Sequence, residues 1–214
     1  MAFKKIQEQL KEVLGQQGIK EPLPFQKAIL SKIKGGASVF GIAPAGAGKT
    51  TAIIISTLQK LDCTAFEEAP RALIFVKDKE SALTLQSEFE RFTRRMDLRI
   101  YSVYEEHNIE AQRNEIFEGV DIVIATPKRL SKIFYLNGIN LGKLKLFIVD
   151  DAEFLSKPSP FSDVIRIPES LDRCQYAIFS TKFDSRMERM QELFMANVDT
   201  SDQIAPGFSV SLRQ

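Results

Sequence analysis

Ala43-Pro44-Ala45-Gly46-Ala47-Gly48-Lys49-Thr50 is the stretch of this chain whose residue types and spacing bear most directly on chemistry. A short apolar run, Ser38 to Ile42, leads into it, and an alanine- and isoleucine-rich helical run, Thr51 to Leu61, leads out. Strand, glycine-rich loop and helix in that order build a phosphate cradle. The glycines let consecutive backbone N–H groups turn inward around phosphate oxygens, and the helix N-terminus adds a partial positive charge. With a lysine and a hydroxyl at these offsets the stretch is a P-loop. Lys49 is expected to reach the β- and γ-phosphates of a nucleotide and the Thr50 hydroxyl to ligate Mg²⁺. Ala45, Gly46, Ala47, Gly48 and Thr51 complete the expected binding turn.

A second constellation lies well downstream, in Phe147-Ile148-Val149-Asp150-Asp151-Ala152-Glu153. An apolar strand ending in two acids puts carboxylates at the C-terminal edge of a sheet, beside the P-loop. In nucleotide hydrolases the first acid holds Mg²⁺, usually through water, and the second orients the attacking water. Asp150 and Asp151 are the candidates for those roles.

The elements that must position these groups follow from hydrophobic periodicity. Phe3, Ile6, Leu10, Val13 and Leu14 recur at helical spacing, with Gly15 and Gly18 as the stop. Pro22 and Pro24 lead into a second helix, Phe25 to Ile33, closed by Gly35-Gly36. Beyond the P-loop helix, buried-strand runs appear at Ala72–Val76, Leu98–Val103, Asp121–Ala125, Leu144–Val149 and Gln175–Phe179. Helical patterns separate them: one with Ala82, Leu85, Phe89 and Phe92 on a face, one over Ile109 to Phe117, and one through Leu130 and Phe134. A last helix covers Asp184 to Met195. Strands that are apolar throughout and alternate with helices predict an α/β fold, a parallel sheet covered by helices on both faces. Phe75, Phe89, Phe92, Phe117, Phe134, Phe147 and Phe179 are expected in the core. In the tail, Phe208 to Leu212 alternates like a strand behind the turn signal Pro206-Gly207.

The 214 residues suit one large domain, or one domain with a small appendage. A net charge of +1 with 27% charged residues excludes a global basic field, so nucleic-acid binding would need local patches. Cys63 and Cys174 lack metal-ligand spacing and are expected as reduced thiols. The N-terminus is amphipathic rather than a signal core. No apolar stretch approaches the ~20 residues that span a bilayer, so a cytoplasmic protein without a membrane partner is expected.

The P-loop, the Asp-x-Ala-x acids and Ala125-Thr126-Pro127-Lys128-Arg129-Leu130 between them, in this order, resemble the N-terminal RecA-like domain of a DEAD-box RNA helicase of superfamily 2. The resemblance runs over residues 15 to 195. It implies a RecA-like P-loop NTPase domain at 37–198, N-terminal helices at 1–36 that carry the adenine-reading glutamine Gln26, and a C-terminal tail at 199–214. It implies ATP and Mg²⁺ as cofactors, Lys49, Asp150 and Asp151 as catalytic residues, and Thr50 with Asp150 at the metal. Thr126, Pro127, Arg129 and Lys79 then face the backbone of single-stranded RNA or another nucleic acid. Ser180 and Glu153 couple the nucleotide site to a partner domain.

Several positions depart from the family pattern. Asp151 stands for the family's glutamate and retreats by about 1.5 Å, one C–C bond. Misplacement on that scale costs about a hundredfold in rate. Thr181-Lys182 replaces Ala-Thr after Ser180, and Glu105-Glu106 replaces paired glycines near Tyr104. Gln9 falls where an aromatic residue would cover adenine. There is no His-Arg-x-Gly-Arg segment, and in the family a second RecA-like domain supplies arginines worth about 10³–10⁵ in rate. The expectation is an ATPase of the RNA-helicase type that depends on a second RecA-like domain or an activating protein in trans. The alternatives are a non-catalytic ATP-dependent binding or regulatory module, and a DNA-directed ATPase of the same superfamily.

Overall fold

The computed structural model describes residues 6–171 and 173–195. The tail 199–214, with its strand-like Phe208 to Leu212, lies outside the described residues. The strands are β1 (Val39–Ile42), β2 (Ala72–Phe75), β3 (Ile100–Val103), β4 (Ile122–Ala125), β5 (Leu146–Val149) and β6 (Gln175–Ser180). The helices are α1 (Glu8–Gln16), α2 (Pro24–Lys34), α3 (Lys49–Lys60), α4 (Lys79–Thr93), α5 (Ile109–Gly119), α6 (Pro127–Tyr135), α7 (Pro158–Ile165) and α8 (Ser185–Phe194).

The strands form a six-stranded sheet in the order β1-β6-β5-β2-β4-β3, and every pairing is parallel. All residues of β1, β2, β4, β5 and β6 are buried, which is why their sequences read as unbroken apolar runs. From β1 through β3 the chain moves one way across the sheet, then returns through β4, β5 and β6. Right-handed crossovers therefore put α3 and α4 on one face and α5, α6 and α7 on the other. α3 does touch α4, and α6 packs on α7. α1 and α2 lie against α3.

The structure revises some expectations. α1 continues through Gly15, and Gly18, at φ +74°, makes the stop. Phe117 is 82% exposed, not core. Ile116 and Gln112 take the buried face of α5, and at 3.6 residues per turn the next residue is swung out. Phe134 is only partly buried. The segment after Asp151, which has no clear period, folds into a 3₁₀ turn (Ala152–Ser156), α7 and a second turn (Pro168–Ser170). Pro158 starts α7 because a proline's missing N–H costs nothing at a first helical position. Cys63 and Cys174 are free thiols, and burial pushes them up to about 11 and about 12.

The N-terminal ends of the strands are tied by a buried ion cluster that no motif announces. Asp121, fully buried before β4, accepts from Arg71 Nη2 at 2.7 Å, Arg99 Nε at 2.9 Å, Arg99 N–H at 3.1 Å and Phe66 N–H at 3.0 Å. Arg71 precedes β2 and Arg99 precedes β3, so one carboxylate links three strand starts. β3 consequently begins at Ile100 rather than Leu98, because Arg99 spends its N–H on this carboxylate. Burial opposes ionisation of Asp121, but the bonds from Arg99, Arg71 and Phe66 outweigh it and hold the carboxyl below the usual carboxylate range.

Asp121→Asn leaves the buried Arg71 guanidinium without its counter-charge and is expected to cost about 3–5 kcal/mol at neutral pH. A carboxyl with a lowered folded pKa stabilises above its unfolded pKa of about 3.9 and loses that stabilisation as pH falls through the folded value. Urea denaturation at a series of pH values should show the gap between wild type and variant closing only below about pH 4.

Candidate functional site

The strand ends are aligned by register. Ile42 pairs with Ser180, Val149 with Ile178 and Phe75, and Ala125 with Phe75 and Val103. The residues that follow, Ala43, Thr181, Asp150, Val76, Thr126 and Tyr104, therefore leave from one edge. Each chemistry-bearing motif begins there, as expected for open α/β sheets.

The P-loop bridges β1 and α3. Gly46 and Gly48 sit at φ +81° and +82°, a backbone that side chains rarely adopt. A Cβ at Gly48 would also lie 2.3 Å from Gln26 Nε2. Gln26 is 4% exposed, despite its polar character on a helix. Its Nε2 donates to Gly48 O at 3.2 Å, and its Oε1 accepts from Leu23 N–H at 2.9 Å. The glutamine thus ties the start of α2 directly to the phosphate loop, a contact that spacing alone does not disclose. Lys49 Nζ donates to Ala43 O at 3.1 Å and to Pro44 O at 3.3 Å, which folds the ammonium over the loop mouth. Ala47 is buried beneath the turn and contributes its backbone, whereas Ala45 and Gly46 are exposed.

The sheet brings the acids to this loop. Asp151 Oδ1 lies 3.9 Å from Lys49 Nζ. A cleft of about 840 Å³ is lined by Ala45, Gly46, Gly48, Lys49, Thr50, Thr51, Lys77, Asp150, Asp151, Glu153, Phe154 and Thr181. A second hollow of about 460 Å³ shares Thr50, Lys77, Asp150 and Asp151 with it and extends to Asp78 at the cap of α4. Burial, and after it the charge of Asp151, pushes the Asp150 carboxyl up to about 7, with Lys49 pulling the other way. An acid so placed gains from a nearby divalent cation. Among the described residues, no group of three or more His, Cys, Asp or Glu is placed to hold a metal ion by itself. One hydroxyl and one carboxylate instead suit Mg²⁺, which keeps its waters and takes phosphate oxygens as further ligands. Thr50 and Asp150 fit such an ion. Asp151 stands at φ +47° with its side chain 62% exposed, so it faces the cleft without packing that fixes it.

Glu153 joins β5 to β6. Its Oε1 accepts from Thr181 N–H at 2.5 Å, Thr181 Oγ1 at 2.6 Å and Ser180 Oγ at 3.0 Å. Burial opposes the charge, but the bonds from Thr181 and Ser180 hold the Glu153 carboxyl below its usual range. The structure therefore unites Ser180 and Glu153, and it adds Thr181, one of the residues at which the chain departs from the family pattern.

The four residues expected to face nucleic acid lie at the other end of the same edge. Thr126 and Arg129 are 3% and 8% exposed, and Pro127 is buried at the first position of α6. Thr126 Oγ1 donates to Glu105 Oε2 at 2.6 Å, and Arg129 Nη2 donates to Glu105 O. Lys79 Nζ lies 5.4 Å from the Tyr104 ring centroid. The loop between β3 and α5 thus engages three of the four. Lys128 and His107 are exposed. Gln9 donates to Arg95 O at 2.7 Å.

Sheet order and site together define a RecA-like α/β domain with a P-loop. The chain belongs to the DEAD/DEAH box helicase family, whose model matches residues 23–190. Among curated proteins it is similar to the pre-mRNA-processing ATP-dependent RNA helicase PRP5 of Meyerozyma guilliermondii, 28% identical over 90% of this chain and 23% of that protein. It is also similar to the human probable ATP-dependent RNA helicase DDX46, 29% identical over 83% of this chain and 18% of that protein. A solved hypothetical ATP-dependent RNA helicase from Sulfolobus tokodaii shares the fold, with a TM-score of 0.79 and 23% identity over 91% of this chain and 56% of that one. The yeast DEAD-box splicing factor Prp28 does likewise, with a TM-score of 0.78 and 21% identity over 87% of this chain and 47% of that one. The chain thus spans about a fifth of these curated relatives.

Gly48→Ala forces a side chain into left-handed backbone and against Gln26. It is expected to destabilise the chain by at least ~1 kcal/mol, the left-handed penalty alone. Urea denaturation checks the cost, and hydrogen exchange should show faster amides in the 44–50 loop.

Proposed function

We propose that this chain binds ATP with Mg²⁺ through residues 43–51, Gln26 and Asp150, and carries the nucleotide-binding half of an RNA-helicase-type ATPase. The observation that supports it best is the direct bond from Gln26 to the carbonyl of P-loop Gly48. That bond sets an amide able to read a base edge next to a loop able to hold its phosphates. In this reading the nucleotide brings the metal, which supplies charge neutralisation and a polarised phosphate. Thr50 and Asp150 hold the ion, Lys49 leaves its loop carbonyls for phosphate oxygen, and Asp151 positions water.

The 1–36 segment presents Gln26, the 37–198 unit carries ATP and RNA contacts, and Glu153 with Ser180 relays the nucleotide state. Single-stranded RNA backbone is the expected second ligand, and a second RecA-like domain or an activating protein completes the γ-phosphate side. Contacts of this kind go to phosphate and sugar and carry little sequence information. The expected setting is cytoplasmic. The exposed, one-methylene-short Asp151 also favours a second reading, a module that binds ATP without meaningful turnover.

Asp151→Glu separates the two. If Asp151 is a water-orienting acid set back from its work, the variant's steady-state ATP turnover with single-stranded RNA should rise on the order of 10–100-fold. Unchanged turnover with RNA present supports the non-catalytic module.

A further inference from the structure

The β3–α5 loop, residues 104–108, is held at both ends. Tyr104 O accepts from Gln112 Nε2 at 3.2 Å, and Asn108 Oδ1 caps α5 by accepting from Ala111 N–H at 3.0 Å. Gln112 is fully buried and Tyr104 half-buried at this anchor. Between the anchors, Glu105 gives its carboxylate to Thr126 Oγ1 and its carbonyl to Arg129. Both donors belong to nine-tenths-buried residues at the start of α6, and they meet one acceptor residue that is itself exposed. A carboxylate held by a hydroxyl and flanked by a guanidinium at a helix start takes the contacts that a phosphate oxygen would take there. Tyr104 meanwhile lies against Lys79.

We infer that Glu105 is a resident competitor for the nucleic-acid backbone, occupying the Thr126–Arg129 seat and keeping this edge weakly receptive to RNA until the loop is displaced. This rests on the reading of that edge as an RNA-backbone surface. The competition is local: Glu106 is exposed beside Glu105 but shows no bond to Thr126 or Arg129, so its charge alone acts through solvent. Solvent and salt screen such a charge.

Fluorescence anisotropy with a labelled short oligouridine, across a salt series, tests this on the full chain. Glu105→Ala removes the carboxylate from Thr126 Oγ1 and keeps the main-chain carbonyl that Arg129 bonds, and it is expected to tighten binding about tenfold, the value of one charge-assisted contact. It should also steepen the slope of log affinity against log salt by about 0.7, one more neutralised phosphate on a single strand. Glu106→Ala should stay within about twofold of wild type, as a screened surface charge does. Equal RNA affinity and equal slope for Glu105→Ala and wild type, both binding, would overturn the competitor and leave the RNA reading standing. Equal tightening in the two variants would also overturn it, because a field effect would then suffice. No binding by wild type or either variant would sink the RNA reading and the competitor together. Circular dichroism spectra matching wild type confirm that each variant folds.

Discussion

A parallel sheet delivers its outgoing loops to one side, and in this chain the register that holds those strand ends beside one another is what everything else depends on. Phe40, Ile178, Val149, Phe75, Ala125 and Val103 form one row of paired residues, and β1 and β6 run on together to the pair Ile42–Ser180. A slip of one residue would reverse every side chain between the two helical layers. The apolar residues on both faces of each strand resist such a slip at the centre. Asp121, bonded to Arg71 and Arg99, resists it at the opposite edge from the site. The cluster is costly to desolvate, and its geometry rather than its charge makes it tolerable: four donors surround one carboxylate.

The cleft reflects a different balance. Three carboxylates, Asp150, Asp151 and Glu153, share a hollow with Lys49. Glu153 is settled by hydroxyls and an N–H from the end of β6, and Asp151 is exposed to water. Asp150 alone carries the strain of burial beside a like charge. Strain of that sort at a strand end marks a candidate functional group, because a nearby cation would relieve it. The structural pin at one edge and the unrelieved acid at the other are two uses of the same residue type, separated by the number of donors each can find.

Residue type and spacing made the P-loop, the acids at the end of β5 and the parallel order legible, since glycine offsets and unbroken apolar runs are local signals. What escaped was contact between distant segments. The resemblance marked Gln26 as a reader of adenine, but its bond to Gly48 appears only when α2 is laid against the loop. Asp121 reads as the first residue of a strand, because nothing near it in sequence reveals Arg71 or Arg99. Phe117 was expected in the core on hydrophobicity alone, and helix phase put it in solvent. Glu105 reads as a departure that adds negative charge, whereas in the folded chain it has two specific partners.

We propose that this edge binds a nucleotide through its phosphates. Isothermal titration of this chain with ATP and Mg²⁺, wild type beside Lys49→Ala, tests it most directly. Wild type should bind saturably and the variant should lose at least about tenfold, the worth of one charge-assisted phosphate contact. Equal affinity in the two proteins, or no heat in either, would contradict it.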